Sequence, residues 1–199
     1  MCQILLHMKK VILILFSLSL FISSCKKNNK SAYVNAKKNY GEEINRLAIE
    51  FDLPYEYLMA LIVLECSGAN SIEPRFEKHV YKKLKRFRDG DLNRFENLNK
   101  ESLKGASDEA LENLAKSWGP FQLMGYKCLK LGVKINDIRG DNSLYWGVYW
   151  INSEYGDYLR KNKIEQAFRI HNTGSPTGTT HNSRYVRDGL KHIEYFKIK

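Results

Sequence analysis

Apolar residues recur at helical spacing along most of the chain beyond residue 40. Ile44, Leu47, Ala48 and Phe51 predict a helix from about Gly41 to Asp52. Pro54 separates it from the apolar stretch Leu58–Leu64, which closes on Glu65-Cys66-Ser67-Gly68. Proline is tolerated in a helix's first turn, and glycine suits its C-terminal stop. Phe76–Leu84 resumes the periodicity and runs to about Arg88, where Asp89-Gly90-Asp91 breaks it. Residues 91–106 are poorly patterned and read as an exposed excursion. Ser107-Asp108-Glu109 is an N-cap signature leading into Ala110, Leu111, Leu114 and Ala115. Ser117-Trp118-Gly119-Pro120 ends that helix, and Phe121-Gln122-Leu123-Met124 starts another that continues through Cys128 and Leu131 to Gly132. Asp141-Asn142-Ser143 caps a long amphipathic helix carrying Leu144, Tyr145, Val148, Ile151 and Tyr155. A short helix from Ile164 to about Ile170, a Gly/Ser/Thr/Pro loop from His171 to Asn182, and a last helix from Ser183 to about Phe196 complete the pattern. No internal repeat is present. The fold class predicted is all-α, or α+β at most with a small hairpin in the 69–106 region.

The N-terminus is patterned differently. Lys9-Lys10 precede an apolar run from Val11 to Ile22 that only two serines interrupt. Such a run is short for a membrane span and fits the h-region of a signal peptide. Ile22-Ser23-Ser24-Cys25 resembles a bacterial lipobox, which implies cleavage before Cys25 and lipidation of its thiol. The alternative is an ordinary signal peptide with a chance cysteine. Met8-Lys9-Lys10 is the expected natural start. Residues 26–40 are Lys/Asn-rich with few large apolar side chains, and predict a flexible tether. The expected organisation is a lipoprotein signal peptide over 1–25, a tether over 26–40 and one domain over 41–199.

Composition narrows the function classes. A chain of 199 residues, 43% hydrophobic, can bury a substantial core in one domain. Its net charge is +10, and +8 once residues 1–25 are removed. On charge alone such a surplus suits nucleic acid, anionic lipid or an anionic wall polymer. Export argues against nucleic acid. Of the four cysteines, Cys66 and Cys128 lie beyond the proposed anchor; they either pair in an oxidising envelope or act as small buried hydrophobes. No Cys/His cluster has metal-ligand spacing, so no metal or other cofactor is expected.

Glu65 is the candidate for chemistry. It follows Leu58, Leu61 and Ile62 by seven, four and three residues, so all four share one helical face, with Glu56 opposite. Burial among apolar neighbours disfavours the ionised form of a carboxyl group, the condition a general acid needs. The alternative is a glutamate that ends a helix and reaches water.

The order of these features resembles the lysozyme-like superfamily, in particular lytic transglycosylases of the soluble type and bacterial N-acetylmuramidases. A helix ends in Glu-x-Ser-Gly. A Trp-Gly-x-Phe-Gln-x-Met segment, a long helix, an Asn-x-Gly loop and an Arg-Tyr-Val segment on the last helix follow. The resemblance covers residues 41–197. It implies that Glu65 is the catalytic acid of the family's Glu-Ser-Gly motif, although Cys66 stands between Glu65 and Ser67. It implies substrate contacts at Ser67, Gln122, Met124, Asn172 and Tyr185, the tyrosine beside the acid. Arg75-Phe76-Glu77-Lys78-His79 and Ser117-Trp118-Gly119 look closer to the muramidase branch. His171 stands where the family loop has tyrosine, Thr173 replaces an alanine, and Ser175–Thr180 lengthens the loop. His79 and His171 are expected as structural or rim residues. Of Tyr145, Trp146, Tyr149 and Trp150, two are expected in the core and one beside the cleft.

The implied activity is cleavage of the β-1,4 bond between N-acetylmuramic acid and N-acetylglucosamine in peptidoglycan. A lytic enzyme manages with Glu65 alone, because the substrate's own C6 hydroxyl closes a 1,6-anhydro ring. A hydrolase adds a second carboxylate, for which Glu77 is the main candidate, ahead of Glu73, Asp141 and Asp188. A wall-binding lipoprotein without turnover is the alternative from another class. The expected partners are glycan strands and, through Cys25, a membrane of the bacterial cell envelope, with no nucleic acid and a monomeric state.

Overall fold

The computed structural model describes residues 30–197; the leader and Cys25 lie outside them. Among the described residues, nine α-helices accompany one small three-stranded sheet, so the helical class expected from the pattern holds in its coarse form.

The fold is organised around α2 (Tyr55–Cys66), whose residues Tyr57, Leu58, Met59, Ala60, Leu61 and Ile62 are wholly inaccessible to solvent. A helix that is apolar all round must be enclosed on every side. Here α1 (residues 30–51), α7 (Ser143–Arg160), α8 (Ile164–Thr173) and α9 (Tyr185–Lys197) enclose it in one apolar cluster, and α9 packs along it extensively. A second cluster gathers α3 (Lys78–Asp89), α4 (Asp108–Leu114), α5 (Lys127–Leu131) and α6 (Ile135–Arg139). α7 joins the two: Val148 and Ile151 enter the first cluster and Trp150 the second. Of Tyr145, Trp146, Tyr149 and Trp150, two of which were expected in the core, Trp150 alone is buried; Tyr145 and Trp146 are half-buried and Tyr149 is exposed.

Three expectations need correction. Residues 30–40 are not a tether but the first part of α1. Ala32, Ala36 and Tyr40 extend the buried stripe of Ile44 and Leu47 at helical spacing. The stripe escapes notice because two of its members are alanines set among lysines and asparagines. This segment braces the turn that follows α2. Asn39 Nδ2 donates to the Gly68 carbonyl at 2.8 Å, and the Tyr40 hydroxyl donates to the Ala69 carbonyl. Gly68 is required there, since its φ is +70° and a Cβ would lie 2.4 Å from the Ala36 nitrogen.

Residues 121–132 are not one helix. Lys116–Trp118 (β2) and Leu123–Met124 (β3) form an antiparallel hairpin, with Ser117 opposite Met124. Arg75–Phe76 (β1) pairs with β2 on its other side, so a hairpin confined to 69–106 is replaced by a sheet that reaches into the later segment. Left-handed backbone at Gly119 and Gln122 rules out a helix through this turn. The hairpin tip is seated on α7: Phe121 is 2% exposed, and a Cβ at Gly147 would lie 2.5 Å from its ring.

The excursion over 91–106 is anchored rather than free, because Phe95 and Leu103 are buried and Lys100–Leu103 form a 3-10 turn. Ser107 does cap α4, accepting from the Ala110 amide at 3.1 Å. Asn142 holds the cap position of α7 without a side-chain cap bond. Cys66 and Cys128 are free thiols in separate clusters and do not pair; burial pushes each up to about 11.

Ala36→Leu tests the packed role of the first helix. Overfilling the space against Gly68 is expected to cost about 1–3 kcal/mol, read from urea unfolding of the full chain. An unchanged midpoint would mean that residues 30–40 do not pack on the domain.

Candidate active site

Glu65 occupies the last turn of α2, with its side chain 17% exposed. Its neighbours come from three other helices. The Tyr185 hydroxyl, at the start of α9, donates to Glu65 Oε1 across 120 residues of sequence. The imidazole Nε2 of His171, in the last turn of α8, lies 3.8 Å from the same oxygen. Tyr155, from α7, holds the other side of that ring, with its hydroxyl 2.7 Å from His171 Nδ1. Tyr57, in the first turn of α2, donates in turn to the Tyr155 hydroxyl at 3.4 Å.

Hydrogen-bond complementarity assigns the protons in this group. His171 Nε2 is 3.2 Å from the carbonyl of Phe121. A carbonyl only accepts, so Nε2 carries a hydrogen. Burial lowers the His171 pKa, against the opposing pull of Glu65 and of the Phe121 carbonyl, and the ring is neutral. Nδ1 is therefore bare and accepts from Tyr155. The 3.8 Å approach to Glu65 is accordingly a contact between a neutral N–H and a carboxyl group, not an ion pair. Burial raises Tyr155 and Tyr185 well above the usual phenol value, reinforced by Tyr57 at the first and by Glu65 at the second, so both remain donors at neutral pH. Among the described residues, no buried side-chain nitrogen or oxygen lacks a partner.

The other residues expected at the site are distributed around this group. Ser67 is exposed with a left-handed backbone, two positions after Glu65, and its amide closes α2 onto Val63. Asn172 is exposed next to His171. Gln122 follows Phe121 in the hairpin turn, but its amide is engaged inside that turn. Its Oε1 accepts from Ser117 Oγ at 2.7 Å and its Nε2 donates to the Gly119 carbonyl at 3.2 Å. Met124 is half-buried in β3 against the second cluster. Glu77 is not among the groups contacting Glu65. It precedes α3, and its oxygens meet Arg75 at 2.6 Å and His79 at 3.5 Å.

The sequence pattern does not bring His171 and Tyr155 to Glu65: it offers His171 as a hydrogen-bonded structural or rim residue and Tyr155 as an apolar position of the long helix, and both descriptions hold. His171 follows the buried Ala167 and Phe168 by four and three residues, the same spacing that puts Glu65 on an apolar face. Ending the helix at residue 170 hid that relation. Tyr155 sits where α7 kinks, with φ −149° and ψ 18°, next to Gly156, and its ring is buried between α2 and α8.

Among the described residues no three His, Cys, Asp or Glu side chains group as metal ligands, and no helix is long and apolar enough to cross a membrane. No family model, curated protein or solved structure matches the chain.

The neutral ring of His171 has a consequence for stability. Its folded pKa is lowered, as is that of His192, so below the unfolded value of about 6.5 the unfolded chain takes up protons that the folded chain refuses. Stability is therefore expected to be complete above that pH and to fall as pH drops below it. His171→Gln should flatten this dependence in urea titrations across the range. An identical slope in the variant would contradict a buried neutral imidazole.

Proposed function

We propose that the chain is a peptidoglycan-cleaving enzyme of lysozyme-like architecture, a lytic transglycosylase that uses Glu65 as general acid and then general base. The observation that carries this reading is the meeting of Glu65 with Tyr185. The motif order pairs a glutamate at a helix end with a tyrosine on the last helix, and the two residues share a hydrogen bond beside the imidazole of His171.

The geometry suits proton transfer. Tyr185 donates to Oε1, which leaves Oε2 as the oxygen to carry the transferable proton in the proposed acid step. That oxygen is the one that protonates the glycosidic oxygen as positive charge builds at the muramyl anomeric carbon. The leaving N-acetylglucosamine departs with the proton. The carboxylate then takes a proton from the muramyl C6 hydroxyl, whose oxygen attacks the anomeric carbon and closes the 1,6-anhydro ring. Tyr185 steadies the carboxylate while it is charged.

A single-acid mechanism fits the surroundings better than a two-acid one. Glu77, the second carboxylate a hydrolase would use, is engaged by Arg75 and His79 and makes no contact with Glu65. Ser67, Gln122, Met124 and Asn172 are proposed as substrate contacts. Ser67, Gln122 and Asn172 each lie within two positions of a residue in the Glu65 group. Cys25 is proposed as the lipid attachment point, holding the domain in the cell envelope.

Mass spectrometry of purified sacculi digested with the full chain tests the assignment. Anhydromuramyl products, one water lighter than reducing-end products, are expected. Reducing-end products would favour the hydrolytic muramidase. No released muropeptide would favour a wall-binding protein without turnover.

A further inference from the structure

We propose that His171 is the positioning residue of this site: bonded through its one N–H to the hairpin turn between β2 and β3, it sets that turn beside the carboxyl group of Glu65. The inference rests on the reading of Glu65 as the acid for its kinetic consequence, but the link itself is a statement about geometry.

The imidazole has little freedom. Tyr155 donates to Nδ1 at 2.7 Å and is itself backed by Tyr57 at 3.4 Å, so the ring cannot turn over without breaking that bond. This leaves Nε2–H bonded to the Phe121 carbonyl at 3.2 Å, with Glu65 Oε1 as a second oxygen 3.8 Å from the same nitrogen. The carbonyl is fixed because the Phe121 ring is locked against Gly147. The groups facing His171 are thus Glu65 and Tyr57 from α2, Tyr155 from α7, Tyr185 from α9 and the hairpin backbone. Only Glu65 among them changes charge during the proposed reaction. With Glu65 protonated, the carbonyl is the nearer acceptor. Once Glu65 has given up its proton, its oxygen becomes a charged and therefore stronger acceptor for the same N–H.

Two consequences follow from an N–H that bonds the Phe121 carbonyl with Glu65 Oε1 beside it. The turn that carries Gln122 is held in register with the acid, which fixes where a sugar lying against that turn meets Glu65. The anionic form of Glu65 also gains a second donor beside Tyr185 at the stage when it must act as base. His171 itself neither gains nor loses a proton. Glutamine carries an acceptor and a donor on one carbon and can occupy both bonds without titrating, whereas alanine can occupy neither.

The test combines imidazole nitrogen NMR of the purified full chain with sacculus kinetics. The wild-type spectrum is expected to show His171 neutral, protonated at Nε2, at neutral pH; an Nδ1–H tautomer or a charged ring would overturn the proposal. His171→Ala should lower turnover about tenfold or more with KM little changed, and His171→Gln should recover most of that loss. Wild-type turnover in the alanine variant, or a glutamine variant as slow as alanine, would also overturn it. If His171→Ala does not fold, Tyr155→Phe serves instead, with a mixture of tautomers and slower turnover expected; a single unchanged Nε2–H tautomer at full turnover would count against the proposal. A wild-type chain that releases no muropeptide would refute the enzymatic reading, while the tautomer spectrum would still decide the link.

Discussion

The hydrogen bond from Tyr185 to Glu65 joins the end of α2 to the start of α9. α2 is apolar on every side, and a carboxyl group at its end is tolerated only where polar partners reach it. Tyr185 provides one from α9, and His171 brings another N–H close from α8. Both donors are supported in turn: α9 packs extensively on α2, and His171 is held by Tyr155. The arrangement is a polar thread of Tyr57, Tyr155, His171, Glu65 and Tyr185 drawn through an apolar cluster. In such a setting each unsatisfied group would cost about 1–3 kcal/mol, which ties the local fold to the integrity of the thread.

The same constraint explains features that lie away from the carboxyl group. Gly68 is needed because α1 closes over the turn behind Glu65, with Asn39 and Tyr40 holding the carbonyls of Gly68 and Ala69. Gly147 is needed because Phe121 must lie deep enough for its carbonyl to reach His171. One glycine sets the approach of the N-terminal helix and the other the approach of the hairpin. α7 contributes Gly147, the kinked Tyr155 and Trp150, and so connects the two apolar clusters to the site.

The helices most legible in the sequence are those with large apolar residues at strict spacing. α2, α4, α7 and α9 lie close to their expected positions, and Ser107 caps α4 as its pattern indicates. The pairing of Glu65 with Tyr185 was legible only through the order of motifs, since no local periodicity links residues so far apart. Three things escaped for physical reasons. Ala32 and Ala36 bury little surface each, so a packed helix resembled a solvated tether. Leu123 and Met124 are as helix-compatible as they are strand-compatible, and the positive φ at Gly119 and Gln122 decides the matter only in three dimensions. His171 lies one residue past the point where the apolar pattern of α8 fades, so its buried face was visible only once the helix was seen to run to Thr173.

Substitution of the carboxyl group itself bears most directly on the central claim. Glu65→Gln keeps the shape of the side chain and an acceptor for Tyr185 while removing the transferable proton. Lysis of purified sacculi by this variant is expected to fall by about a hundredfold or more, with sedimentation on the same sacculi unchanged. Lysis at the wild-type rate would contradict the assignment of Glu65 as the acid.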